Sequence, residues 1–164
     1  QATRHLLDQG ARRIAFVGGF EGRPITAERR SGYLEVLESH GIEPLVIAGA
    51  SSRGWGLNVA APRIVADLSI DAVLAFNDLV MLGLMAGLAR AGRMPGRDIR
   101  LVGFDDIEWV RHLPTPRTTV RQPKRDLGRM AARVLMARIA GQEVAAETVL
   151  NPELVVRAST CPPA

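Results

Sequence analysis

The sequence predicts an α/β fold built on a parallel sheet with helices on both faces. Three observations predict it. Short apolar runs alternate with longer amphipathic ones from residue 13 to residue 104. No hairpin turn signal joins one short run to the next, so each pair of strands needs a helical crossover. The short runs are apolar along their whole length, the pattern of strands covered on both sides.

The elements follow in order. "QATRHLLDQG" (1–10) reads as the last turns of a helix, with Gly10 as a left-handed stop, and without an initiator methionine it looks like a piece cut from a longer protein. "RIAFVG" (13–18) is the first strand and runs into glycines. "TAERRSGYLEVLESHG" (26–41) places Arg30, Tyr33, Leu34 and Leu37 on one helical face and Glu35 and Glu38 on the other, with Gly41 as the stop. Arg30 reads as a side chain snorkelling over the sheet edge. "PLVIAG" (44–49) is a second strand, and "GLNVAAPRIVADLS" (56–69) is a helix in which Pro62 fits best near the first turn, leaving its start open. "DAVLAF" (71–76) is the third strand, "DLVMLGLMAGLARA" (78–91) a helix capped by Asp78 and ended by Gly92, and "IRLVGF" (99–104) the fourth strand.

The rhythm then breaks. Residues 105–123, "DDIEWVRHLPTPRTTVRQP", read as a long connection with three prolines. "KRDLGRMAARVLMARIAG" (124–141) is a helix with Leu127, Met130, Ala131, Val134, Leu135 and Ile139 on one side and arginines on the other. "ETVLNPELVVRAS" (147–159) follows as extended chain split at Asn151-Pro152.

Composition excludes several functions. A length of 164 residues, 47% hydrophobic and 23% charged, fits one soluble domain with a real core. No apolar run approaches the roughly 20 residues that cross a bilayer, and the start does not read as a signal peptide. The single cysteine, Cys161, has no intrachain partner, which favours a cytoplasmic setting. The net charge of +4 comes almost wholly from arginines interleaved with acids, and aromatics are only 4%, so direct nucleic-acid binding by this chain is disfavoured. His5, His40 and His112 lack partners, and HExxH, CxxC and GxSxG are missing; "GGFEGRP" has neither Walker nor GxGxxG spacing. A binding protein is expected rather than an enzyme, with no cofactor and no metal.

In open parallel sheets, ligands bind outside the carboxyl ends of the strands. The loops there carry Arg29, Trp55, Asn77 and Asp105. A carboxylate to accept hydroxyl protons, an arginine and an amide to donate, and an aromatic face for C–H surface suit a small polyol. Trp55 could instead simply cover the core, and Asp106 could cap a short turn; Asp105 has no helix of its own to cap. The helix at 78–91 is apolar around more than half its circumference. A second layer of the chain or a second subunit must cover it, and Met81, Leu82, Met85 and Leu88 are the residues expected at a dimer interface. Gly83 and Gly87, one turn apart, would admit a partner helix closely.

"FNDLVMLGLMAGLARAGRMPGRDIRLVGFDDIEW", "LPTPRTTVRQP" and "DLGRMAARVL", with the earlier "ARRIAFVGG" and "ERRSGYLEVLESHGI", resemble the effector-binding domain of lactose/galactose-repressor (LacI/GalR) family transcription regulators. The resemblance spans essentially the whole chain. It implies a periplasmic-binding-protein-like fold of type I, mainly its C-terminal subdomain. Residues 1–10 would end a helix from a missing N-terminal part, 11–116 would form the C-terminal effector-binding subdomain, 117–145 a crossover and helix belonging to the N-terminal subdomain, and 146–164 the return and tail. The apolar face of the helix at 124–141 would then be orphaned. The resemblance further implies that Arg29 in "RRSG", Asn77 in "FND" and Asp105 in "GFDD" bind the effector, with Trp55 stacking on it. The protein would be a cytoplasmic, homodimeric regulator, usually a repressor, that reaches operator DNA only through the missing N-terminal domain. A periplasmic sugar-binding protein of a transporter is the main alternative, and a flavodoxin-like or nucleotide-dependent enzyme the second. Sugar, sugar acid, nucleoside and purine effectors all stay open.

Overall fold

A computed structural model describes residues 1–160, so Cys161 lies outside the described residues. Six strands form one sheet: β1 (Ile14–Val17), β2 (Leu45–Ile47), β3 (Ala72–Ala75), β4 (Arg100–Phe104), β5 (Thr118–Arg121) and β6 (Glu153–Val155). Their order is β2-β1-β3-β4-β5-β6. The first five are parallel and β6 runs antiparallel to β5. Strand order reverses between β1 and β3, so the crevice outside their carboxyl ends is where such a sheet holds a ligand.

The uniformly apolar strands are explained by two cores, one on each face. Ala15, Val17, Val73, Ala75 and Leu101 point to one side and meet Ala60, Ile64, Val80, Met81, Leu84 and Leu88. Ile14, Phe16, Leu74, Phe76 and Val102 point to the other and meet Ala2, Leu6, Tyr33 and Leu37. The second group comes from α1 (Ala2–Asp8) and α2 (Pro24–Ser39). Gly10 takes its expected left-handed conformation at φ 81°. Its N–H reaches the Leu7 carbonyl and that of Ala11 the Leu6 carbonyl, which satisfies the end of α1.

Several expectations are corrected. α2 begins two residues early because Pro24, with its preset φ, occupies the first helical turn. The helix expected from residue 56 begins at α3 (Arg53–Trp55), where the Ser52 side chain accepts from the Trp55 N–H. It continues through a π turn (Gly56–Ala60) into α4 (Ala61–Ala66). Pro62 has no N–H for the preceding turn, and the wider π turn sits where that bond is missing.

α5 (Asp78–Arg90) is capped by Asn77, whose side-chain oxygen accepts from the Val80 N–H at 2.9 Å, and not by Asp78. Met81 and Leu88 are fully buried against the chain's own sheet, which rules them out as dimer-interface residues in this structure. Leu82 and Met85 are half-buried, and Leu79 is 46% exposed. Gly83 and Gly87 do admit a helix closely, but it is the chain's own. A Cβ on Gly83 would overlap the Arg53 carbonyl and the Leu57 N–H, and one on Gly87 would overlap Ala61.

The connection at 105–123 holds α6 (Glu108–Arg111) and β5. Thr118, Thr119 and Val120 are buried, so this segment belongs to the sheet and the crossover begins only after Arg121. Flanking prolines conceal that strand in the sequence. α7 (Lys124–Ile139) has no buried residue; Leu135 and Ile139 are 59% and 71% exposed.

Candidate functional site

β3 and β4 end in the same way. A phenylalanine, Phe76 just past β3 or Phe104 at the end of β4, is followed by a polar pair, Asn77-Asp78 or Asp105-Asp106. Both rings face the α2 side, and the Arg29 guanidinium lies on them, 3.7 Å from the Phe104 centroid and 4.6 Å from that of Phe76. Its Nη1 donates to the Phe76 carbonyl at 2.6 Å, and its Nη2 stands 3.8 Å from Asp105 Oδ1. Burial lowers the Arg29 pKa, and the negative charges of Asp105, Asp78 and Glu28 offset part of that cost. An arginine held this way stays cationic.

Asp105 sits on strained backbone, with φ at 113°, and Asp106 follows at 48°; they are the only non-glycine residues with positive φ among the described residues. Gln122 Nε2 donates to Asp105 Oδ1 at 2.5 Å, and Lys124 Nζ donates to the Asp105 carbonyl at 2.7 Å. Arg29 and Gln122 therefore both converge on Oδ1.

Asp106 points the other way, into the protein. It accepts from Arg121 Nε at 2.7 Å, from Arg157 Nη2 at 2.8 Å and from Arg111 Nη2 at 2.9 Å. Burial raises its pKa, but the three arginines outweigh that and hold the carboxyl below its ordinary value. Asp106 thus ties together α6, β5 and the segment after β6, a larger role than capping a turn.

Of the residues expected at the site, the structure joins Arg29 and Asp105 directly. Asn77 is close by through Phe76, yet its amide is engaged: Oδ1 caps α5, and Nδ2 donates to the Ser51 carbonyl at 3.0 Å. Trp55 is half-buried and packs on the core under α5, the opposite face of the sheet from the Phe76–Phe104 stack. Its indole lies across Gly49, where a Cβ would collide with the ring. A cavity of about 510 Å³ adjoins the pair. Ile25, Arg29, Phe76, Phe104, Gln122 and Leu127 are among its lining residues, whereas Trp55, Asn77 and Asp105 are not. Phe76, Phe104, Gln122 and the arginines around Asp106 escaped the sequence reading. The matching F-N-D and F-D-D strand ends are the signal that could have found the two rings. No group of His, Cys, Asp and Glu side chains among the described residues could hold a metal ion.

A largely parallel sheet with this strand order and a charged, ring-backed rim beyond the carboxyl ends of β3 and β4, next to the switch point, has the form of a ligand-binding lobe. Residues 3–160 match the family described as the periplasmic binding protein-like domain, and the chain belongs to that family. Its relatives are more particular. The transcriptional regulator CelR of Thermobifida fusca, of the helix-turn-helix type, is 38% identical over 165 residues, covering 97% of this chain and 48% of that protein. A transcriptional regulator CelR–cellobiose complex superimposes with a TM-score of 0.89 at 34% identity, covering 96% of this chain and 49% of the other. The lac repressor dimer bound to operator and the anti-inducer ONPF gives 0.90 at 28% identity, with 98% and 49% covered. The chain spans about half the length of the curated relatives it matches.

Proposed function

We propose that this chain is the effector-binding lobe of a LacI-type transcription regulator that couples a sugar-like ligand to operator affinity. The observation that carries the reading is the Arg29–Asp105 pair, backed by Phe76 and Phe104, at the carboxyl ends of β3 and β4. Asp105 accepts ligand hydroxyl protons through its second oxygen, and Arg29 donates to ligand oxygens. Asn77 holds the adjoining rim by capping α5 and keeps one side-chain N–H free of the Ser51 carbonyl; Trp55, on the other face of the sheet, packs beneath α5. The ring and aliphatic lining of the neighbouring cavity suits the C–H faces of a pyranose.

The name of the CelR–cellobiose complex makes cellobiose the first ligand to try. Half of the cleft comes from a second lobe, toward which α7 turns its uncovered face. Closure of the two lobes on the ligand changes the spacing of paired DNA-binding heads, an effect of about 1–3 kcal/mol between sites. The dimer forms through the exposed side of α5, with Leu79, Leu82 and Met85. Operator DNA is reached through a segment outside this chain. The relatives carry regulatory names, and the chain's site holds no catalytic grouping among the described residues, so the proposed activity is binding. A thermal-shift screen of the intact regulator against cellobiose, other sugars, sugar acids, nucleosides and purines tests the reading. A stabilising sugar supports it; stabilisation by purines alone replaces the sugar assignment.

A further inference from the structure

Asp78 is 0% exposed, and the helix it begins does not use its side chain. Its carboxylate is turned beneath the neighbouring loop. Oδ2 accepts from the Ile107 N–H at 2.9 Å, and Oδ1 accepts from the Thr119 hydroxyl at 2.7 Å. The same hydroxyl oxygen receives the Asp106 N–H at 3.4 Å. Room for this comes from Gly103, where a Cβ would overlap Asp78 Oδ1 and stand 2.8 Å from Met81 Cε. One carboxylate thus reaches from the start of α5, across β4, to β5 and to the far end of the 105–107 turn.

That turn is the one that needs holding. Its two aspartates both have positive φ, and such backbone persists only where its surroundings over-determine it. The Asp105 N–H is fixed to the Val120 carbonyl at 2.8 Å and Asp106 is fixed by its arginines, which leaves the exit of the turn to Asp78. We propose that Asp78 is a positioning residue: by binding the Ile107 N–H and the Thr119 hydroxyl from below, it holds the 105–107 turn so that the Asp105 carboxylate meets Gln122 and Arg29. This rests on the reading of Asp105 as an effector ligand for its functional weight, though not for its structural content.

Burial pushes the Asp78 pKa up to about 6, with the charges of Asp105 and Asp106 adding to the rise and the Ile107 and Thr119 bonds opposing it. The Arg29 charge and the Asp78 charge act on each other without direct contact, while Arg111, Arg121 and Arg157 are spent on Asp106. The two hydrogen bonds to Ile107 and Thr119 offset part of that burial cost and fix the direction of the carboxylate.

Nitrogen-15 NMR of the ligand-free protein tests the proposal. Asp105→Ala fixes the resonance position of a released Gln122 side-chain amide. Asp78→Ala is expected to move that amide to the same position and to speed exchange of the Ile107 N–H by about tenfold, with β1 amides unchanged. Asp78→Asn keeps an acceptor for Ile107 and should restore its protection. An unmoved Gln122 resonance and unchanged Ile107 exchange in Asp78→Ala would overturn the proposal. So would β1 amides accelerating as much as Ile107. Should Asp78→Ala fail to fold, Thr119→Val provides the same readout: a Gln122 shift toward the released position supports the proposal and no shift contradicts it. If no sugar binds the wild type, the effector reading falls while the Gln122 and Ile107 results still decide this one.

Discussion

Asp105 and Asp106 are chemically identical neighbours with opposite environments. Asp105 keeps an oxygen for solvent or ligand, whereas the Asp106 carboxylate is sealed under three arginines. Asp106→Ala should therefore destabilise the fold by about 1–3 kcal/mol in urea denaturation, because those arginines lose their shared acceptor. Its depressed pKa gives the sign with pH: its contribution is complete above the unfolded-state value near 3.8 and is lost as pH falls through the lower folded-state value. Asp78 behaves oppositely. Its folded pKa of about 6 exceeds the unfolded value of 3.8, so its charge penalises folding fully above 6 and is relieved as pH falls toward 4. Wild type should gain stability between pH 7 and 5 relative to Asp78→Asn, measured as the difference of urea midpoints; parallel midpoints would contradict this. The sequence set Asp105 apart from Asp106 because Asp105 has no helix of its own to cap, and the structure gives the two carboxylates different surroundings. It could not tell Asn77 from Asp78 as the cap, since both residue types cap well and only the strand's end decides which one is in place.

At the scale of elements, close helix packing explains glycines that composition leaves ambiguous. Gly83 meets the backbone of α3 and the π turn, so Gly83→Ala should cost about 2 kcal/mol or more, because the atoms in the way are main chain. Gly32 in α2 has open space where a side-chain methyl would stand, with no atom within 4 Å, and Gly32→Ala should stabilise by about 0.5–1 kcal/mol. Equal effects of the two substitutions on the thermal midpoint would contradict this packing. The strands were legible as far as β4, because a doubly covered strand is apolar throughout. β5 was not, because its threonines are buried through hydrogen bonds: Thr118 Oγ1 donates to the Arg157 carbonyl at 2.9 Å and Thr119 Oγ1 donates to Asp78. Polar residues satisfied in this way carry no hydrophobic signal. The apolar girth of α5 was visible in the sequence, but not which part of it faces inward. Met81 and Leu88 went to the sheet and Leu79 to the surface.

At the scale of the whole molecule, five parallel strands position a rim, and one antiparallel return strand brings the chain back beside it. α7 has no buried residue, and Leu135, Met136 and Ile139 stand exposed on it, as the family resemblance led one to expect of its apolar face. The exposed side of α5 is a second apolar surface, and Leu82→Arg should turn a dimer of the intact regulator into a monomer in sedimentation velocity, with its helical circular dichroism retained. In the proposed function the carboxyl ends of β3 and β4 form half of a sugar site organised around Arg29 and Asp105. Calorimetric titration of the intact regulator and its Asp105→Ala variant with cellobiose, or with the sugar that the thermal screen selects, tests this most directly. The wild type should bind saturably and the variant about 10- to 100-fold more weakly, at an unchanged thermal midpoint. Equal affinity in the two proteins would contradict it.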